Sequence, residues 1–251
     1  MGALASLAVF VAGIAIVFGA SVHGSVATGL LLGPFTVGVD PLGGLFLATI
    51  GLVACAAAIF ALDYLRPHER GRQMRATLAT FNLLILSLVG IVVAADGVTF
   101  LVAWEIMAAL SFVAVLTEHD DPDVARAAYL MIAVSEIGTI AIVVAVLVLA
   151  HAGGGFGFDA LRAGGRTLAP GVREIVYVLA LFGFGAKMGI LPLQVWLPEA
   201  HPAAPSHISA VLSAVIVKMG LYGLIRFGID LAGPVPAWLG LGTLVIGVLT
   251  A

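Results

Sequence analysis

The chain has 251 residues, of which 62% are hydrophobic and 10% charged, with a formal net charge of −3. Soluble domains carry about 45–50% apolar and about 25% charged residues, so a water-soluble globular protein is excluded and a polytopic membrane protein fits. A single cysteine, Cys55, excludes a disulfide framework and any cysteine-ligated iron–sulfur or zinc centre, and no cofactor of the chain's own is expected.

A helical span needs about 20 mainly apolar residues. Eight runs approach that length: residues 2–20, 41–62, 77–95, 97–117, 126–150, 174–197, 204–226 and 236–251. The period-two alternation of a membrane barrel is missing. The predicted fold class is therefore all-α, a polytopic transmembrane helix bundle.

In chain order, run 2–20 lacks a charged leading region and reads as a first span rather than a signal peptide. Residues 21–40 are apolar but glycine-broken and too short to cross, with His23 expected at the interface. Asp40–Pro41 opens the next span, proline standing where its missing N–H costs nothing. The loop after that span carries Arg66, Arg70, Arg72 and Arg75, and the positive-inside rule places it in the cytoplasm. Counting outward, the 20–40 stretch, the Asp96 turn, the 151–173 loop and the end near Asp230 face outside. The 117–123 and 198–205 turns face inside. Asp96–Gly97 makes a tight turn between two spans, and FDALR, residues 158–162, reads as a short interfacial helix. The last apolar run stops at Ala251 without a closing charge or cap, the pattern expected of a fragment.

Of eleven basic residues only Lys187 and Lys218 are lysines, and both lie inside spans. A charge in hydrocarbon costs about 3 kcal/mol or more, so each marks a functional site by default. Lysine, unlike arginine, can give up its proton when desolvated. Snorkelling of a structural lysine is the alternative, weaker for mid-span Lys187 than for Lys218, which stands eight residues before Arg226. Glu105 lies next to Trp104 in the fourth run and is the natural counter-ion of Lys187. A nearby carboxylate keeps a lysine protonated; its withdrawal lets desolvation drive the proton off, towards Lys218 on the following helix. Glu136, near mid-depth in the fifth run, reads equally as a relay member or as a helix-packing hydrogen-bond acceptor.

Gly183, Gly185 and Gly189 surround Lys187 and Pro192 comes shortly after, a composition that breaks a helix in mid-membrane, as at transporter ion sites. Tight helix packing is the other reading of those glycines. His207 and Lys218, eleven residues apart, would share one face of a regular helix, with Ser206, Ser209 and Ser213 nearby to hold a water chain.

Three motifs, VDPLGGLFL before the third mapped span, VAWEIMAALSF around Glu105, and GAKMGILPLQVWLPEAHPAAPSHISAVLSAVIVKMGLYGLIRF, resemble the antiporter-like membrane subunits of respiratory complex I, Mrp-type antiporters and membrane-bound hydrogenases. The LPEAHPAAPSHISA run looks most like the large membrane subunit of hydrogenase-4 and formate hydrogenlyase. The resemblance places the family's glutamate on Glu105, its broken-helix lysine on Lys187, its following lysine on Lys218 and its loop histidine on His201. It implies residues 1–76 as N-terminal spans and loop, 77–226 as a five-helix repeat, and 227–251 as the start of a second repeat. The family often has histidine where Gln194 stands, and usually two spans before Val39–Asp40 where one is clear here. The implied function is a proton-translocating subunit in the inner membrane of a hydrogenase- or NADH–quinone oxidoreductase-like complex. Its partners would be other membrane-arm subunits, a peripheral redox arm with iron–sulfur clusters, lipid, and protons or Na+, with no nucleic acid. A Na+/H+ antiporter subunit and a non-conducting membrane anchor are the rival readings.

Overall fold

In hydrocarbon every backbone amide and carbonyl needs a partner within its own segment, which makes helices of the apolar runs. The computed structural model describes residues 2–20, 22–26, 35–68, 72–116 and 121–250, with no side-chain description for residues 62–68, 72 and 73. Arg70, the side chains of Arg66 and Arg72, and residues 117–120 of the expected inner turn lie outside the described residues. The chain is an all-α polytopic membrane helix bundle. Among the described residues six helical segments are long and apolar enough to span: Pro41–Ala61, Met74–Val93, Gly97–Val115, Pro122–Gly153, Pro170–Ala203 and Ser206–Leu231. Two further expected spans form shorter helices, α1 (Gly2–Val17) and α11 (Ala237–Thr250).

The chain forms two compact units, Met1–Tyr129 with Ala200–Val215, and Leu130–Glu199 with Ile216–Ala251. In the first, α1 packs on α2 (Pro41–His68) so closely that a Cβ on Gly13 would lie 2.4 Å from the Ala48 amide nitrogen. Only glycine fits there, and backbone-to-backbone contact of this kind is how membrane helices gain packing energy. Asp40 starts α2 as its sequence predicts, its Oδ1 accepting from the Gly43 amide at 2.9 Å.

Residues 22–26 and 35–39 hold a feature the sequence did not disclose. β1 (Val22–Val26) and β2 (Phe35–Val39) pair antiparallel, Val22 opposite Val39 and Val26 opposite Phe35. Asp96 fixes this ribbon to the turn between α3 (Arg72–Val93) and α4 (Gly97–Val115). Its Oδ2 accepts from the Thr36 amide at 2.9 Å and from the Thr36 and Thr99 hydroxyls, while Oδ1 caps α4 through the Thr99 amide at 2.7 Å. Burial alone would raise the Asp96 pKa; these donors outweigh it and hold the carboxyl below its ordinary value.

In the second unit, α5 (Pro122–Gly153, from Leu130 on) packs with α7 (Pro170–Met188), and α6 (Phe158–Thr167) supplies the short helix expected at FDALR. A Cβ on Gly165 would lie 2.1 Å from the Leu231 carbonyl oxygen, so α6 docks backbone to backbone. After α7 come a 3₁₀ turn (Leu193–Trp196) and α8 (Leu197–Ala203). The last long span is composite: α9 (Ser206–Val211), a π-helical turn Leu212–Ile216, α10 (Val217–Gly223) and a second π-helical stretch Leu224–Leu231.

Candidate functional site around Lys187

Two glycines bring α5 and α7 together. A Cβ on Gly183 would lie 2.6 Å from the Gly138 carbonyl oxygen, and one on Gly138 would lie 2.8 Å from that of Gly183. A turn away on each helix, Lys187 Nζ donates to Ser135 Oγ at 3.1 Å. Both side chains are buried, at 2% and 5% exposure. The second determinant is the end of α7. Gly189 takes a left-handed φ of 71°, which disfavours any L side chain, and its amide and that of Ile190 both donate to the Gly185 carbonyl at 2.9 and 3.1 Å. The Ala186 carbonyl accepts instead from the Trp196 indole at 2.9 Å. Pro192 stands three residues beyond Gly189 and caps the 3₁₀ turn. Lys187 thus occupies the last turn of a helix that breaks inside its span, beside carbonyls that favour a cation.

A third crossing holds this arrangement from the other side. A Cβ on Gly220 of α10 would lie 2.6 Å from the Phe184 carbonyl oxygen, and Phe184 meets the Phe227 ring at 5.8 Å. Gln194 lies in the 3₁₀ turn with its Oε1 buried and without a hydrogen-bond partner among the described residues.

Glu105 belongs to the first unit, half-buried on α4, and its Oε1 is likewise buried without a hydrogen-bond partner among the described residues. His207 is buried to 1% exposure, its ring 5.8 Å from that of Phe81. His201 Nδ1 lies 3.2 Å from Ser209 Oγ, and that hydroxyl reaches the His201 carbonyl at 3.1 Å. With the hydroxyl hydrogen on the carbonyl, Nδ1–H is the ring donor and Nε2 the basic nitrogen. Ser213 Oγ turns back to the Ser209 carbonyl at 2.7 Å.

One expectation changes. Lys218 is exposed while His207 is buried, and the regular three-turn spacing assumed between them is interrupted by the π-helical turn Leu212–Ile216. A π turn takes in an extra residue, so the regular spacing does not hold across Leu212–Ile216. On α5, Glu136 is exposed, and its neighbour Ser135 is buried and accepts from Lys187 Nζ.

The sequence pattern also left unannounced an ionic cluster in the second unit. Arg162 Nε and Nη2 grip Asp230 in a two-pronged contact at 3.0 and 2.9 Å, and Arg226 Nη1 reaches the same carboxylate at 2.9 Å. Arg226 is buried, its guanidinium 5.4 Å from the Tyr222 ring centroid and 5.7 Å from that of Phe158. Arg162, on the surface helix α6, has its pKa raised, first by the hydrogen bond to Asp230 and then by that carboxylate's charge. The available signal was Arg226 and Asp230 four apart on a helix, beyond an otherwise apolar run.

The model of the transmembrane family described as NADH:quinone oxidoreductase/Mrp antiporter matches residues 94–251. Hydrogenase-4 component B of Escherichia coli K12 is 34% identical over 218 residues, 86% of this chain and 32% of that protein. An uncharacterised protein of Mycobacterium tuberculosis H37Rv is 42% identical over 209 residues, 83% of this chain and 32% of that one. The chain therefore spans about a third of the length of the curated relatives it matches. Among solved structures, a chain of the Mrp complex from Dietzia sp. DQ12-45-1b superposes with a TM-score of 0.76 at 18% identity, over 99% of this chain and 45% of that one.

Proposed function

Since this chain belongs to the NADH:quinone oxidoreductase/Mrp antiporter transmembrane family, we propose that it is a proton-translocating part of a membrane oxidoreductase complex, of the hydrogenase/formate hydrogenlyase or NADH–quinone oxidoreductase kind. It would lie in the cell's inner membrane among other membrane-arm subunits, and a peripheral arm with iron–sulfur clusters would supply the redox energy. The observation that carries this reading is Lys187, buried to 2% exposure at the broken end of α7 within a span. A structural cation there would be better served by arginine, which cannot titrate; an amine can take up and release a proton as its compensation changes.

Glu105 is the proposed counter-ion, its buried oxygen available to an ammonium. Lys218 is the proposed acceptor, and His201 and His207 stand on the proposed entry route. When the carboxylate is close, the amine keeps its proton; when it withdraws, the uncompensated charge is too costly and the proton leaves. Lys187→Ala and Glu105→Ala, each in the assembled complex, should abolish proton pumping into inverted vesicles. Pumping retained in both variants rejects the relay, and flux that depends on sodium reassigns the transported ion.

A further inference from the structure

We infer that Ser135 is a positioning residue for proton transfer at Lys187: its hydroxyl holds the ammonium at the end of α7 and sets the direction from which the amine exchanges its proton. The inference rests on the reading of Lys187 as a proton carrier, and it is drawn from geometry independent of that reading. Ser135 is buried to 5% exposure and its Oγ accepts from Nζ at 3.1 Å. A lysine side chain is long and flexible, and each contact that fixes the ammonium preserves the orientation that a transfer step requires. The hydroxyl suits the task chemically. It accepts from the ammonium with one lone pair and retains a hydrogen to donate, so it can serve both the charged and the neutral amine without titrating itself.

Its position is built. The Gly138–Gly183 backbone contact fixes the separation of α5 and α7 a turn away, leaving the Ser135–Lys187 distance little freedom. The neighbouring Glu136 is exposed, whereas Ser135 is buried beside the amine.

The test compares Ser135→Ala, Ser135→Thr and Lys187→Ala in the full complex in native membrane vesicles. Ser135→Ala should reduce proton flux about tenfold at unchanged assembly, the scale expected when one orienting contact to a charged group is lost. Ser135→Thr, which keeps the hydroxyl, should restore most of it. Ser135→Cys, nearly the same shape with a much weaker acceptor, should behave as alanine does and serves should the alanine variant fail to assemble. A second readout separates orientation from mere packing. In ¹⁵N-lysine-labelled complex the Nζ signal of Lys187 is assigned as the one that disappears in Lys187→Arg. Its ammonium hydrogens should exchange with water about tenfold faster in Ser135→Ala than with serine or threonine present. If Ser135→Ala retains full flux while Lys187→Ala is inactive, the role of Ser135 is overturned and the relay stands. Equal losses in the alanine and threonine variants with an unchanged Lys187 signal also overturn it. Full flux in Lys187→Ala removes the relay and this inference together.

Discussion

Gly183→Ala puts one methyl group where α5 and α7 touch, and the consequence can be worked from distances. The new Cβ would lie 2.6 Å from both the Gly138 carbonyl oxygen and Ile142 Cγ1, whereas ordinary contact begins at 3.4 Å. Ile142 can turn aside, but the carbonyl is backbone, so the helices must separate by about 0.8 Å, the difference between those two distances. Carried one turn along, the same displacement takes the Ser135–Lys187 bond from 3.1 Å to about 3.9 Å, past hydrogen-bonding range. Overpacking of this kind costs about 1–3 kcal/mol, or about 2–4 °C in Tm per kcal/mol at this chain length. The assay is thermal unfolding in detergent, with the Lys187 ¹⁵Nζ signal followed in parallel. Gly240→Ala is the control, since a Cβ there meets nothing within 4 Å, and it should leave both readouts in place. A Gly183→Ala protein with wild-type Tm and an unmoved Lys187 signal would refute the claim that this crossing positions the lysine.

Asp230→Asn removes the carboxylate shared by Arg162 and Arg226. Losing one partner of a fully buried pair costs about 3–5 kcal/mol, and because the Asp230 side chain is 31% exposed about 2–4 is expected, read as a lowered unfolding midpoint. Trp196→Phe deprives the Ala186 carbonyl of its indole donor at 2.9 Å and should lower stability by about 1–3 kcal/mol, with helix content unchanged by circular dichroism. Asp96→Asn tests linkage. A carboxyl whose folded-state pKa is depressed stabilises fully above its unfolded value, here 3.8, and loses that contribution as pH falls through the folded value. The Tm gap between wild type and Asp96→Asn should be constant from neutral pH to about 5 and close below 3.8.

The spans, the Asp40–Pro41 helix start and the break at Gly189 were legible because each rests on local chemistry: hydropathy, a capping oxygen, a glycine free to take positive φ. Lys187 stood out because a lysine in an apolar run is rare enough to count. Ser135 did not. Serines are common in membrane helices, and the one that matters is selected by a Gly138–Gly183 contact between segments far apart in sequence. The π turn at Leu212–Ile216 is announced by no residue type there. The β1–β2 ribbon was hidden for a similar reason. Its short apolar strands fit several conformations, and what holds them is Asp96, 60 residues from Thr36.

In the proposed relay Lys187 serves by exchanging a proton, and its charge alone would not suffice. Lys187→Arg separates the two, since arginine keeps the positive charge and most of the length but does not release a proton at any physiological pH. In inverted vesicles carrying the assembled complex, this variant should retain the complex and its redox turnover while proton pumping falls to background. Pumping at the wild-type rate with arginine at position 187 would contradict the account.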